Sequence, residues 1–334
     1  MSGAGLNPER PLRRVGPLAL GVALVVLLGA VLAGLLVGAV GLSPGRVLAE
    51  LADRLPWVSI DSGLTEQQSA IVWELRLPRV VLAGLVGATL AAAGAAYQGV
   101  FRNPLAAPYL LGVAAGAGLG ATLGIVSVGS ASAVVPAVAF AGAVAAVALT
   151  YALGGVAGGG RAGTTLILAG VAVAAFFTAV QTFVQQRHAD TVREVYSWIL
   201  GRLSTVGWTE VGLLAPYAVV SVLVLLLHRR LLDVLAVGEE EAATLGTAGA
   251  VAVGGLIGFV GLVVPHIVRL LAGSSYRVIL PLSVLGGAAF LVLADLGART
   301  VLSPAEVPIG VITAFVGGPF FAVVLRSGRR GWGP

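Results

Sequence analysis

Long apolar stretches, separated by short charged or glycine- and proline-rich segments, repeat along the whole chain. A helix needs about 20 mostly apolar residues to cross the hydrocarbon core of a bilayer. The pattern therefore predicts an all-α, polytopic transmembrane bundle of about 9–10 membrane segments, in a single domain over residues 1–334. The longer polar segments 42–71 and 188–210 are predicted to hold short helices. The predicted spans are residues 15–40, 80–101, 109–128, 133–157, 164–186, 211–227, 247–264, 279–294 and 308–325.

Composition excludes a soluble protein of this size. Hydrophobic residues make up 58% of the chain and charged residues only 10%, whereas globular domains average about 25% charged residues. The mean hydropathy is +1.00. All twenty basic residues are arginines, scattered one or two at a time between apolar runs. Because no basic stripe with interleaved aromatics forms, we expect a lipid bilayer as partner and no nucleic acid.

Metal and thiol chemistry have no signature in the sequence. Cysteine is absent, which excludes disulfides and thiolate ligands. The three histidines, His188, His228 and His266, lie far apart, and none has a second ligand at the short spacing typical of metal sites. No metal site is predicted.

The arginine distribution predicts a multi-pass protein of the cytoplasmic (inner) membrane with a cytoplasmic N-terminus. Cytoplasmic loops carry an excess of basic residues. With the N-terminus inside, alternation through the first six spans places Arg102, Arg161, Arg229 and Arg230 in short inner loops. The first run could instead be a secretory signal. However, it is longer than the apolar region of a signal, and no small-x-small cleavage site follows it.

The spans contain almost no ionisable side chains. Ion-coupled transporters place such groups inside the membrane, but Glu74, Asp295 and Arg299 sit at span ends, while Gln98 and Gln181 suit interhelical hydrogen bonds. The chain has no Gly-x-x-x-x-Gly-Lys-Ser/Thr loop and no lysine, so any ATP would be bound by another chain. We therefore expect an externally driven pathway without catalysis; the alternatives are a secondary transporter, a channel, a lipid-modifying membrane enzyme and a scaffold.

Several short segments, spread in order along nearly the whole chain, resemble the FecCD-type permease family of ATP-binding-cassette (ABC) importers, which carries iron siderophores, haem and cobalamin. Each segment alone is only modestly specific, but together they are highly specific. The segments are Arg76-Leu-Pro-Arg79, Arg102-Asn-Pro-Leu-Ala-Ala-Pro-Tyr-Leu-Leu-Gly112, Tyr196-Ser-Trp-x-x-Gly201, Glu241-Ala-Ala with Gly246, Gly258-Phe-Val-Gly-Leu-Val-Val-Pro-His-Ile-Val-Arg269, and Ala294-Asp-Leu-Gly-Ala-Arg299 with Glu306-Val-Pro-Ile-Gly310.

The resemblance implies a type II importer permease that forms a dimer around a central pathway, either with a second copy or with a related permease. Two ATPase subunits would bind the inner face, and an extracytoplasmic solute-binding protein would dock outside. ATP and magnesium would be bound by the ATPase subunits, so this chain would need no cofactor and would not be an enzyme. The substrate would be an iron siderophore or a related metal chelate.

The outer arginines Arg76, Arg79 and Arg299 match the family's residues that meet acidic groups on the binding protein. Exposed arginines attract an acidic partner and form bidentate pairs with carboxylates. Alternatively, they snorkel at the lipid interface. Asp295 and Glu306 could also pair with these arginines within the chain.

Two inner segments match the family's cytoplasmic gate and its ATPase-coupling helix. The gate residues would be Asn103, Leu105, Gly163 and Thr164, although Asn and Thr are also common as helix caps. A short helix of small residues that turns at a glycine could seat in a groove of the ATPase; the alternative is a solvated amphipathic loop. The coupling residues would be Glu239, Glu240, Glu241, Ala242, Ala243 and Gly246.

The seventh-span region, near residues 246–264, departs from the family pattern. It is long enough for one crossing at most, whereas the family crosses outward here and then partly returns. About one span of 20 residues is missing. Arg299 and the C-terminus could both keep their family sides only if 247–264 formed a re-entrant element, which must be buried in protein. We therefore expect either a compressed seventh region or a chain that is defective for transport.

Overall fold

The computed structural model describes residues 16–328 except 39, 58, 102, 131–132, 157–161, 202, 204–206, 235–239 and 274. All regular secondary structure in these residues is helical. A π-helical turn, Ile71–Arg76, joins α3 to α4, and a 3-10 turn, Ala189–Thr191, precedes α8. The helices are α1 (Pro17–Leu36), α2 (Pro44–Asp53), α3 (Glu66–Ala70), α4 (Leu77–Val100), α5 (Val113–Val128), α6 (Val134–Val156), α7 (Ala162–Arg187), α8 (Val192–Ile199), α9 (Trp208–Val234), α10 (Glu240–Gly254), α11 (Val260–Ala272), α12 (Tyr276–Thr300) and α13 (Ile309–Gly328).

Six helical segments in the described part of the chain are long and apolar enough to cross a membrane, and α5, α11 and α13 hold shorter apolar helices. The predicted all-α transmembrane bundle is therefore confirmed. Eight of the nine predicted spans coincide with helices, and α2, α3 and α8 are the short helices predicted between them. The exception is 247–264. The span predicted at 109–128 begins late, at Val113, after Gly112 takes a left-handed conformation with φ of 78°.

The helix that contains α4 is much longer than predicted. A capping box at Thr65 and Gln68 starts α3, and helical backbone continues through the π turn into α4, giving 35 residues over Glu66–Val100. At 1.5 Å per residue this rod is about 52 Å long, compared with a hydrocarbon core of about 30 Å. The π turn ends two residues before Pro78, which cannot donate a helical hydrogen bond. The rod therefore projects well beyond one side of the bundle.

The projecting part of the rod and α2, which packs against it, together form a small lobe within residues 44–76. Glu50 of α2 is its hub: its carboxylate accepts hydrogen bonds from the Ser62 and Ser69 hydroxyls, both at 2.6 Å, and from Trp73 Nε1 at 2.9 Å. Val47 and Val72 are buried between α2 and the rod. These bonds hold α2 against the rod.

Close backbone contacts organise the bundle around α4, which packs against α1, α9, α10, α11 and α12. A β-carbon placed on Gly87 would lie 2.2 Å from the carbonyl oxygen of Gly287 in α12. One placed on Gly116 of α5 would lie 2.3 Å from the carbonyl oxygen of Gly142 in α6. Small residues thus let helices approach closely where lipid provides no hydrophobic driving force between them.

The two ends of the bundle are defined here by their arginines. The Arg79 end contains Arg79 and Arg299, where α4 begins and α12 ends. At the Arg269 end, Arg269 of α11 donates to the Tyr276 hydroxyl at 2.9 Å, beside the last turn of α4.

The region 247–264 is not one crossing, so that prediction of a single span is wrong. It is divided between α10, with 15 residues, and α11, with 13, which are about 22 and 20 Å long and too short for a core of about 30 Å. Along α4, α10 runs from Tyr97, bonded to Thr244, to Val86, beside Gly254. After a break, α11 returns to the Arg269 end, which is the path expected of a re-entrant element; how this region sits in a membrane stays a prediction.

We expect Gly87→Ala to destabilise the bundle by about 1–3 kcal/mol, because the added methyl overpacks the contact with α12. Gly84→Ala is the matched control: it lies three residues earlier in the same helix, with nothing within 4 Å of the added carbon. Thermal unfolding of the two variants in detergent is the measurement. Equal midpoints would contradict this account of the α4–α12 contact.

Acidification should loosen the lobe. The hydrogen bonds from Ser62, Ser69 and Trp73 lower the pKa of Glu50 below its usual value. A carboxylate with a lowered pKa contributes stability above its unfolded pKa, about 4.3, and this stability is lost as the pH falls through the folded pKa. Hydrogen exchange of lobe amides should therefore accelerate, relative to intrinsic rates, as the pH is lowered below about 4. In Glu50→Gln this pH dependence should flatten; a dependence that persists would assign it to another group.

Candidate functional site

The Arg79 end holds a cluster of paired charges. Arg79 Nε donates to Asp295 Oδ1 at 2.9 Å, and its two terminal nitrogens meet the Glu306 carboxylate at 2.8 and 3.0 Å. Arg299 Nε lies 3.1 Å from Asp295 Oδ2, close enough for an ion pair but not aligned as a hydrogen bond. Asp295 is 1% exposed, so one buried carboxylate serves two arginines. The pairing of Asp295 and Glu306 with the outer arginines, held open from sequence, is what the structure shows.

Arg76 binds the end of α1. Its guanidinium donates to the carbonyl oxygens of Leu35 at 2.7 Å and Leu36 at 3.2 Å, and also to that of Val40. The last carbonyls of a helix have no partner within the helix, and cations near them are stabilised by the helix dipole. The backbone of α1 therefore explains why an arginine is buried here.

Arg299 binds the same helix end from the other side. Its terminal nitrogens donate to the carbonyl oxygens of Gly34 at 3.1 Å and Val37 at 3.4 Å. Docking of a partner by Arg76, Arg79 and Arg299 stays a prediction, but Arg76 is only 5% exposed and Arg299 only 7%. A partner could reach these two guanidinium groups only by displacing the end of α1.

Asn103 shapes the turn that follows α4 at the Arg269 end. Its side-chain Oδ1 accepts from the Leu105 amide at 2.9 Å, and its carbonyl accepts from the Ala106 amide at 3.0 Å. Leu105 is 45% exposed. This geometry matches the turn-forming alternative for Asn103, while gating by Asn103 and Leu105 stays a prediction. Gly163 and Thr164 lie in the first turn of α7 rather than in a loop, and their side chains lie outside the described part of the structure.

Beyond this turn, the loop 103–112 climbs back into the bundle. Ala106 is 1% exposed, and Pro108 packs against Gly261, where a β-carbon would lie 2.5 Å from Pro108 Cγ. The Tyr109 hydroxyl then donates to the Ile257 carbonyl at 2.5 Å, within the break between α10 and α11. Tyr109 was not among the predicted functional residues, although an aromatic hydroxyl in an apolar segment before Gly112 is a sequence signal for a buried hydrogen bond.

The predicted coupling segment forms the beginning of α10. Glu239 lies outside the described residues, and Glu240, Glu241, Ala242 and Ala243 occupy the first turn of the helix. Their side chains also lie outside the description.

Gly246 differs from the expected turn at the inner surface. It lies within α10, and a β-carbon on it would lie 3.0 Å from the side chains of both Thr89 and Ser221. The coupling sequence runs directly into the buried part of α10. Gly246 therefore packs between helices instead of ending one.

We expect Asp295→Asn to destabilise the protein by about 3 kcal/mol, because it leaves two arginines buried without their shared counter-charge. Glu306→Gln is the control: this carboxylate is 39% exposed, and exposed pairs contribute about 0–1 kcal/mol. Thermal unfolding in detergent, with proteolysis at the end of α1, measures both effects. If the two variants unfold alike, the shared carboxylate does not organise this end.

Comparisons with a family model, with individual proteins and with solved structures agree with this architecture. The model of the FecCD transport family matches residues 25–327. The ABC transporter permease protein YvrB of Bacillus subtilis, itself uncharacterised, is 42% identical, over 78% of this chain and 80% of that protein. The cobalamin import system permease protein BtuC of Halobacterium salinarum is 41% identical, over 82% and 80%. The Fe(3+)-citrate import system permease protein YfmD of Bacillus subtilis is 38% identical, over 86% and 90%.

A solved structure shares the fold over nearly the whole chain. It is an inward-facing conformation of a transporter assigned to the metal-chelate type of ABC transporter, with a TM-score of 0.80 and 26% identity, covering 93% of this chain and all of that one. The family match covers far more than half of the sequence, and the relatives align over most of their own length. The chain therefore belongs to the FecCD transport family of membrane permease subunits of ABC transporters.

Proposed function

We propose that this chain is the membrane-spanning permease subunit of an ABC importer that carries an iron siderophore or a related metal chelate across the cytoplasmic membrane. The observation that carries the proposal is the family match over residues 25–327, together with a shared fold over 93% of the chain. Relatives named for Fe(3+)-citrate, Fe(3+)-hydroxamate and cobalamin import support a chelate substrate. None of these relatives favours a secondary transporter, a channel or a scaffold.

We assign the Arg79 end to the outside and the Arg269 end to the cytoplasm. Arg229, Arg269, Arg277 and Arg326 lie in helices at or near the Arg269 end, as expected for cytoplasmic basic residues. The first helix, α1, ends among the carbonyls held by Arg76 at the opposite end. The N-terminus is then cytoplasmic.

The binding protein would dock at the Arg79 end. Glu306 is the solvent-facing member of the charge cluster, with 39% of its side chain exposed, and it covers Arg79, with 11% exposed. An acidic group on the binding protein can replace Glu306 on Arg79 without opening the buried pair to Asp295. In this proposal Arg76 and Arg299 support docking indirectly, by holding the end of α1.

The cytoplasmic gate would be the turn at Asn103 and Leu105, with Gly163 and Thr164 opposite it in α7. The exposed Leu105 side chain supports the proposal, because an apolar side chain is free there to narrow a passage. A second permease, as a homodimer or a related chain, would complete the pathway.

The ATPase subunits would act on the start of α10, residues 239–243. Only five residues, 235–239, separate the end of α9 from the start of α10, so we assign the ATPase contact to the first turn of α10 itself. A displacement of this first turn by the ATPase subunits would move α10 as a whole and thereby its contacts inside the bundle. Gly246 takes part by packing against Thr89 and Ser221.

The test is co-purification of the tagged chain with its ATPase, followed by ATP turnover in lipid with and without the binding protein. We expect a stable complex whose turnover rises on adding loaded binding protein. Ala242→Arg should reduce this stimulation about tenfold, since it places a bulky charge in the contact surface. Ala272→Arg, at the same end of the bundle in α11, is the control and should retain stimulation.

A well-folded permease that fails to bind the ATPase would contradict the proposed function. Equal stimulation in the parent, Ala242→Arg and Ala272→Arg would instead show that residues 239–243 are not the contact.

A further inference from the structure

Four chain segments meet inside the bundle at helix ends or in the breaks between helices. They are named here the junction: Tyr109 in the loop 103–112, Leu200 and Gly201 after α8, Gly255 and Ile257 between α10 and α11, and Ile309 and Gly310 at the start of α13. Ile257 is 1% exposed and Ile309 is 2% exposed. Irregular backbone at membrane depth is tolerated only when it is buried in protein and its polar groups are satisfied.

Specific contacts join the four segments. The Tyr109 hydroxyl donates to the Ile257 carbonyl at 2.5 Å, and the Gly310 amide donates to the Leu200 carbonyl at 3.0 Å. Both hydrogen bonds satisfy carbonyls that helix ends or breaks leave without a helical partner.

Two glycines allow the backbones to approach this closely. A β-carbon on Gly255 would lie 2.3 Å from the Trp198 carbonyl oxygen. Gly201 and Gly255 both have a φ of 77°, which only glycine adopts without strain. The contact between the end of α8 and the end of α10 therefore depends on glycine at both positions.

The segments reach the junction from opposite ends of the bundle. The loop 103–112 and α10 both start at the Arg269 end, beside Gln98 and Tyr97. The start of α13 follows directly from the Arg79 end, where the Val307 amide donates to the Ala298 carbonyl of α12. At the junction, segments from both ends of the bundle thus meet through the Tyr109–Ile257 and Gly310–Leu200 hydrogen bonds and through close packing around Gly201.

We propose that Tyr109 is a positioning residue that couples the cytoplasmic gate to α10 and α13 through the Ile257 carbonyl. A displacement of α10 shifts Ile257, and because Tyr109 is hydrogen-bonded to Ile257, the loop 103–112 moves with it. This loop begins at the gate residue Asn103. The Gly310–Leu200 bond carries it toward the outer end. This inference rests on the proposed function, and it assigns a transmitting role to a contact within the permease itself.

The conservative variant is Tyr109→Phe, which keeps the ring and removes the hydroxyl. In the complex with ATPase and binding protein, reconstituted in lipid vesicles, the number of ATP molecules hydrolysed per chelate transported should rise about tenfold. A merely structural role would change the amount of folded complex, but not this ratio. Tyr196→Phe, at a tyrosine that is 54% exposed, is the control and should keep the parent ratio. A parent-like ratio in Tyr109→Phe would overturn the proposal.

A second pair of variants tests the glycine contact. Gly255→Ala should raise the same ratio, because its methyl group would collide with Trp198. Gly258→Ala lies three residues further in the same break, with nothing within 4 Å of the added carbon, and should behave like the parent. Equal ratios in both variants would argue against transmission through the junction.

Cross-linking keeps the test independent of the ATPase. The chain has no cysteine, so Ile257→Cys with Ile309→Cys introduces the only two thiols. A β-carbon placed on Gly201 would lie 3.2 Å from the side chains of both Ile257 and Ile309. The two introduced thiols are therefore close enough to each other for a short cross-linker. Because both positions are almost fully buried, the reagent reaches the thiols only when the junction opens, so adding Tyr109→Phe should speed cross-linking about tenfold in the isolated permease. Unchanged or slower cross-linking would overturn the junction, whereas faster cross-linking in a permease that binds no ATPase would contradict only the proposed function.

Discussion

Every polar group of the backbone must find a partner inside the membrane, and this constraint is most severe where α10 stops short of crossing. A 15-residue helix leaves its last carbonyls at membrane depth, and lipid cannot satisfy them. The surrounding elements are arranged to meet this need. Tyr109 supplies a hydroxyl to the break, and the segment after α8 packs its own backbone against Gly255. The irregular path of the loop 103–112 and the late start of α5 follow from the same requirement.

Charge burial at the opposite end obeys a related rule. Arg76 and Arg299 are buried because the end of α1 offers unpaired carbonyls, and Asp295 supplies the negative charge that Arg79 and Arg299 share. The cluster therefore attaches the first helix, of which only 17% is buried within the chain, to the two central helices α4 and α12. A role in docking and a role in holding α1 are compatible, because only the Glu306 side of the cluster faces solvent.

Hydropathy alone predicted most of the architecture, because eight of the nine apolar runs are helices in the structure. It failed at 247–264, since a re-entrant pair and a single crossing have the same apolar composition, and the left-handed backbone at Gly255 and Phe259 leaves no periodic signal. The rod was underestimated because charged residues such as Glu74 end an apolar run without ending a helix. The arginine partners stayed open, since Arg79 and Glu306 are 227 residues apart in sequence.

The continuous rod Glu66–Val100 has a mechanical consequence for the lobe it carries. With helical backbone along its whole length, it transmits rotation as a lever does, and the lobe is attached to its far end through Glu50. Transmembrane helices commonly tilt by tens of degrees. A change in tilt of only about 10°, pivoting at Val100, would sweep Glu66 sideways by roughly 9 Å over a rod of about 52 Å. A small rearrangement at the Arg269 end would thus be amplified into a large excursion of the lobe.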